Sequence, residues 1–246
     1  MKEIISIPRI NALGLKGPEK TPEILLKKIN HTKINTENQN ISRDEKEIFK
    51  RIKESLSKDK RIFILGGDHS ITYPSAKAFL QKYRQKSFII IFDAHADCMP
   101  PMKEPTHEEF LAGLVKFGWN PKNICLIGVR KIESEEKEFL EKNKIKYFKT
   151  KIKTEEILNY LKQKTKNKKV YFSIDIDVID PKFAPAVNYP EKKGLTKRKF
   201  FKLFKKILSL ENLRLIDLVE IVLPKDKKNK TKRISKKIIY LINHSF

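Results

Sequence analysis

Two apolar runs constrain the fold most: Phe88-Ile89-Ile90-Ile91-Phe92 and Cys125-Leu126-Ile127-Gly128-Val129 do not alternate with polar residues. A strand that is apolar on both faces has to be covered on both, as a parallel strand between two helical layers is. Similar short, β-branched runs at 4–7, 61–65, 87–92, 123–129, 145–148, 169–176 and 213–221 predict strands. Charged stretches with helical periodicity separate them, at 43–57, 70–84, 107–117, 132–143, 152–165, 196–209 and 230–243. Strand and helix in alternation predict an α/β fold around a central, mostly parallel sheet, as one domain over residues 1–246. At this length roughly 70% of the unfolded surface can be buried, so no disulfide staple is needed. The polar segment 31–40 reads as a loop or frayed connection, and the proline-rich 181–190 as an ordered loop.

The charge narrows the function. Lys plus Arg is 54 against 30 for Asp plus Glu, a formal net charge of +24. The lysines are scattered, and the densest runs, 162–169 and 225–237, hold few aromatics to stack on bases, so solvated helix faces are expected and no nucleic-acid partner. No apolar run approaches the roughly 20 residues of a membrane span, and the first residues lack the apolar core of a signal peptide. Cys98 and Cys125 show no CxxC spacing. A cytoplasmic protein with no membrane partner is the expectation.

Ligands of open α/β sheets collect beyond the carboxyl ends of the strands. There the sequence places Gly66-Gly67-Asp68-His69-Ser70, Asp93-Ala94-His95-Ala96-Asp97, Asp175-Ile176-Asp177 and Glu220. In extended chain, alternate residues point the same way, so Asp93, His95 and Asp97 are expected to share one side, as are Asp175 and Asp177. Four carboxylates and two imidazoles at one spot would cost several kcal/mol each without a cation. Six ligands serve two metals only if carboxylates bridge, so a dinuclear site is predicted on His69, Asp93, His95, Asp97, Asp175 and Asp177. Carboxylates with imidazole and no thiolate favour two Mn2+ ions over other divalent metals. Asp68 reads as a helix cap, Cys98 as packing, and His31 and His244 as surface residues.

These segments, with 173–181 (Ser-Ile-Asp-Ile-Asp-Val-Ile-Asp-Pro), resemble the three signatures of the ureohydrolase family of arginases, agmatinases, formiminoglutamases and proclavaminate amidinohydrolase. The resemblance runs from about residue 62 to residue 231. It implies a three-layer α/β/α sandwich, two Mn ions and hydrolysis of a guanidino C–N bond in a small guanidino substrate. By position, one metal would take His69, Asp93, Asp97 and Asp175, and the other Asp93, His95, Asp175 and Asp177. Catalytic roles fall on Asp97, on His107 as proton shuttle, and on Glu220 as partner of the guanidinium. His107 stands fourteen positions after Asp93, a spacing closer to agmatinases than to arginases, so agmatine is the favoured substrate. Arginase or formiminoglutamase activity, or a metal-binding relative with weakened catalysis, are the alternatives. Lys103 is a candidate partner for a substrate carboxylate. A trimer or hexamer is implied by the family. Glu108 stands where the family usually has glycine, and 187–190 replaces a glycine-rich turn.

Overall fold

The computed structural model describes residues 2–11, 15–36 and 40–245. Its strands are β1 (Lys2–Ile7), β2 (Thr32–Lys33), β3 (Arg61–Gly66), β4 (Ser87–Phe92), β5 (Ile124–Ile127), β6 (Lys146–Phe148), β7 (Lys169–Asp175) and β8 (Leu213–Val219). The helices are α1 (Thr21–Leu26), α2 (Ile41–Ser57), α3 (Thr72–Tyr83), α4 (Phe110–Phe117), α5 (Ser134–Lys142), α6 (Thr154–Thr165), α7 (Lys197–Leu208) and α8 (Lys230–Ser245). The eight strands form one sheet in the order β2-β1-β3-β8-β7-β4-β5-β6, and every pairing is parallel.

The continuous apolar runs are divided between two cores by the two-residue period of the strand. In β4, Phe88, Ile90 and Phe92 pack into one hydrophobic cluster with Leu161 of α6, Phe200 and Phe204 of α7 and Ile238 of α8. Ile89 and Ile91 face the other way, into a cluster with Ile52 of α2, Phe79 of α3 and Leu111 of α4. The result is a three-layer α/β/α sandwich. Helix α7 shows how the charge is accommodated. Thr196 caps its first turn, accepting from the Lys199 N–H at 3.3 Å, and Phe200, Leu203, Phe204 and Ile207 are buried while Lys197, Lys202, Lys205 and Lys206 stay outside.

The strand order positions the site. The chain passes from β3 to β4 across a gap filled later by β8 and β7. The four central strands end level: Leu65 pairs with Leu218, Asp175 with Val219, and Phe92 with Ile174. Neighbouring strands lie about 4.8 Å apart, so the residues just beyond each carboxyl end are drawn to one place.

Two local expectations change. The segment 31–40 is not loop throughout: Thr32–Lys33 pairs with β1, while residues 37–39 lie outside the described residues. Helix α1 has no counterpart among the predicted helices; it is one and a half turns long, carries Pro22 in its first turn, and has no side-chain cap, so it owes its place to burial of Leu25 and Leu26. Among the described residues, no helix is long and apolar enough to cross a membrane.

Candidate metal centre

Gly67 follows β3 where the chain passes against the loop after β1; a Cβ there would lie 1.9 Å from the Arg9 carbonyl oxygen, so only glycine fits. The Arg9 carbonyl accepts the Asp68 N–H at 3.0 Å. Asp68 accepts from the Asn11 N–H at 2.6 Å and the Ser70 N–H at 3.2 Å, the capping role expected of it. This fixes the short turn that carries His69.

The ring of His69 is oriented from behind. Nε2 lies 2.8 Å from Ser173 Oγ, and Ser173 donates its own proton to Asp217 Oδ1 at 2.7 Å. Asp217 is fully buried and also accepts from Thr72 Oγ1 at 2.8 Å and from the Tyr171 hydroxyl. Ser173 therefore faces the imidazole with a lone pair, and Nε2 carries the proton. That leaves the Nδ1 lone pair aimed at Asp93 Oδ2 at 3.0 Å, Asp97 Oδ2 at 3.0 Å and Asp175 Oδ2 at 3.7 Å. Both His69 Nδ1 and Asp93 Oδ2 are buried with no hydrogen-bond partner.

The aspartates divide their oxygens in the same manner. Asp93 Oδ1 accepts the His95 N–H at 2.7 Å, Asp177 Oδ1 the Ala94 N–H at 3.0 Å, and Asp175 Oδ1 the Asp177 N–H at 2.7 Å. Each Oδ2 is left to face inward. His95 Nδ1 stands 2.9 Å from Asp177 Oδ2 and 3.6 Å from Asp93 Oδ1. Two overlapping groups have ligand atoms within 4.8 Å of one another: His69, Asp93 and Asp175, and Asp93, His95 and Asp97. Asp93 belongs to both.

Convergence is not achieved by strand alternation, which the spacing suggests. β4 stops at Phe92, and Asp97 sits at φ 49° in the left-handed region. The chain turns there because the Asp93 and Asp177 side chains bond its backbone. Asp177 likewise lies in a tight turn after β7, not in extended chain. Glu220, at φ 61°, is the other left-handed residue at the site. Its N–H donates to the Gly67 carbonyl at 2.9 Å, and its Oε1 accepts the His69 N–H at 2.8 Å.

The protonation balance describes a site built for positive charge. Burial raises Asp97, Asp175 and Glu220 above the usual carboxylate range, with Asp93 adding to this for Asp97, Asp177 for Asp175 and Asp68 for Glu220. Burial opposes protonation of His95, but Asp177 and Asp93 outweigh it and push that imidazole up to about 12. Asp93 and Asp97 likewise overcome burial to raise His69. Burial would raise Asp93, yet His69 and His95 hold it below the usual carboxylate range. Protons and divalent cations compete for such ligands, and the donor set of carboxylate oxygens and imidazole nitrogens fits a hard or borderline divalent metal.

An arginine outside the predicted site supports the far side. Arg130 donates to the carbonyls of Gly128 at 3.1 Å, Asp177 at 2.7 Å, Glu191 at 2.9 Å and Lys192 at 3.1 Å, tying the Asp177 turn to the 187–194 loop. That loop brings Val187, Asn188 and Tyr189 into the wall of the inner compartment with His69, His95 and Glu220. His107 stands at its mouth, stacked on Tyr189 with ring centroids 5.9 Å apart, and neither ring nitrogen has a hydrogen-bond partner. Lys103 is not there: its side chain is 90% exposed and its nearest acid is Glu104 at 3.9 Å. Cys98 packs away from the cluster, Sγ 3.7 Å from the Glu136 carbonyl, and burial pushes its thiol up. His31 and His244 bond nearby backbone carbonyls far from the site, those of Ile29 and Tyr240.

The sequence model of the arginase family matches residues 12–243. The chain is 31% identical over 205 residues to an arginase of Plasmodium berghei (strain Anka), covering 73% of this chain and 58% of that protein. It is 32% identical over 193 residues to an agmatinase of Bacillus subtilis (strain 168), covering 75% and 63%. Its fold superposes on the crystal structure of formimidoylglutamase from Bacillus subtilis subsp. subtilis str. 168 with a TM-score of 0.87 at 20% identity, over 100% of this chain and 87% of that one. The chain thus spans about six-tenths of the length of the curated relatives it matches.

Proposed function

Because the chain belongs to the arginase family of ureohydrolases, we propose that it is a binuclear, manganese-dependent hydrolase that cleaves the guanidino C–N bond of a small cationic substrate, agmatine before arginine. The observation that carries this reading is the inward-facing set of His69 Nδ1 and the Oδ2 atoms of Asp93, Asp97 and Asp175, with His95 and Asp177 beside it. His69, Asp93, Asp97 and Asp175 would hold one cation, and Asp93, His95, Asp175 and Asp177 the other. A bound pair of divalent cations supplies a water activated to a nucleophile near neutral pH.

The chain's own residues do the rest. Glu220 spends Oε1 on the His69 N–H and keeps Oε2 for a guanidinium, whose planar N–H groups match a carboxylate. The four aspartates and Glu220 together carry one more negative charge than two divalent cations neutralise, so the pocket favours a cation despite the +24 surface. Asp97 faces the same centre as His69 and holds the proton that passes to the leaving amine. His107, buried between the inner compartment and the outer cavity with neither ring nitrogen hydrogen-bonded, relays protons outward. The agmatine preference rests on the short step from Asp93 to His107 and on the position of Lys103, outside the cavity, where it offers a substrate carboxylate no partner.

One observation favours a second reading, a metal-binding relative with weakened turnover. The inner compartment measures about 20 Å3, room for one water, so a guanidinium enters only if its wall, which includes Val187, Asn188 and Tyr189, gives way. A panel of agmatine, arginine and formiminoglutamate under saturating Mn2+, assayed for urea or formamide, separates the two. Turnover with agmatine in front is expected; metal bound with no turnover of any compound establishes the second reading.

A further inference from the structure

Outside the inner compartment lies a cavity of about 310 Å3, sharing His95, Asp97, His107 and Tyr189 with it. Its wall carries Glu108, Glu133, Glu136 and Glu191, of which Glu136 spends its oxygens on the Cys98 and Glu133 N–H groups. Glu133 is spoken for by Lys131 at 2.9 Å, the one lysine on this wall. Glu108 and Glu191 have no lysine or arginine within ion-pair distance among the described residues. Their nearest cationic groups are ring nitrogens, His107 Nε2 at 3.7 Å from Glu108 and His95 Nε2 at 4.0 Å from Glu191. A second observation points to a ligand: His107 is 7% exposed, walls this cavity, and has no hydrogen-bond partner on either nitrogen.

We infer that this vestibule receives the end of the substrate remote from the guanidinium, that this end is an ammonium and not a carboxylate, and that Glu108 is the residue that selects it. The inference rests on the proposed guanidino hydrolysis for the orientation of the substrate. Its physical content is sign. A distal ammonium meets two carboxylates that no lysine or arginine engages; a distal carboxylate meets the same two and finds Lys131 already engaged. The Tyr189 ring, stacked on His107, offers its face to an alkyl chain between the two ends.

The test uses three ligands with one guanidinium and one chain length: agmatine, n-butylguanidine and 4-guanidinobutyrate, whose far ends are an ammonium, a methyl and a carboxylate. For the Mn2+-loaded wild type, kcat/KM is expected to fall in that order. Glu108→Gln should lower the agmatine to butylguanidine ratio about fivefold, through KM more than kcat, the size of a half-exposed ion pair. Glu108→Lys should place 4-guanidinobutyrate ahead of agmatine. Glu191→Gln, beside His95, should lower the same ratio. If none of the three is hydrolysed, the proposed reaction falls, and the same ligands are ranked by calorimetry, which still tests the vestibule. A wild type that takes the carboxylate as well as the ammonium overturns the inference. So do Glu108→Gln and Glu191→Gln proteins that melt normally and keep the wild-type ratio.

Discussion

Nε2 of His69 meets Ser173 Oγ at 2.8 Å, and the direction of that bond is set one residue further back, where Ser173 is already donating to Asp217. Were Asp217 unable to accept, the serine proton could turn toward Nε2 and leave the imidazole protonated on Nδ1, the atom that faces the aspartates. Asp217→Leu, which removes both acceptor oxygens, is therefore expected to weaken Mn2+ binding about 10–100-fold, the usual effect of losing an outer partner of a ligating histidine. Titration of the metal-free protein with Mn2+ by calorimetry reads this directly. Unchanged affinity in a folded variant would show that the network is packing alone. Ser173→Ala should follow it, adding about 1–3 kcal/mol of lost stability for a buried Nε2–H without an acceptor.

Asp97 and Glu220 both line the inner compartment, yet their variants should behave differently. Asp97 stands with His69 and Asp93 at the proposed cation position, whereas Glu220 reaches only the His69 N–H. Asp97→Ala is expected to lose both bound metal and turnover. Glu220→Gln should keep metal content near that of the wild type while kcat/KM falls by about 10²-fold or more, since an amide cannot neutralise a guanidinium. Metal analysis of the purified variants beside urea release checks both. Equal metal loss in the two proteins would contradict the assignment of Glu220 to the substrate.

The two helical layers and most element positions were legible in the sequence because β4 and β5 are apolar on both faces, which no half-exposed strand tolerates. The acids and imidazoles at four strand ends were legible too. What no single strand could tell is that β8 and β7 insert between β3 and β4, and that adjacency makes the four ends meet. The alternation argument for Asp93, His95 and Asp97 reaches the right neighbourhood by the wrong local geometry, since side chain to backbone bonds turn the chain immediately after β4. Asp217, Ser173 and Tyr171 carry no role in the sequence reading, although a carboxylate and a hydroxyl inside otherwise apolar strands were the available signal. Arg130 shows the limit: its four carbonyl partners lie in segments far apart in sequence, and no local pattern names them.

Those four partners make Arg130 a test of whether the 187–194 loop matters to activity. Arg130→Ala frees carbonyls of Gly128, Asp177, Glu191 and Lys192 at a half-buried position. Hydrogen bonds to a charged group contribute about 1.5–3 kcal/mol, and water replaces part of what is lost here. A lower melting temperature is expected, with a rise in KM as Tyr189 and Asn188 lose their anchor. Arg130→Lys should not restore either, because a single ammonium cannot span carbonyls arranged around a planar fork. A lysine variant with wild-type KM would count against the anchoring role.

Glu45 supplies a pH dependence unrelated to the metal ligands. It lies 3.8 Å from the buried guanidinium of Arg9, yet burial dominates and lifts its carboxyl from 4.5 to about 7, with Glu104 adding to the rise and Arg9 and Lys77 opposing it. The folded chain therefore holds a proton that the unfolded chain has released between those values. The resulting stabilisation is complete below about 4.5 and is lost as pH rises through about 7, reaching roughly 3 kcal/mol when the whole shift is counted. Glu45→Gln mimics the protonated acid at every pH. The two proteins should be nearly equally stable at pH 5, and the wild type should fall behind the variant as pH approaches 8. Urea unfolding in the presence of a chelator measures the gap, since contributions of the metal ligands are common to both proteins and cancel. A gap that stays constant across this range, or one that favours the wild type at high pH, would mean that the Arg9 charge outweighs burial at Glu45.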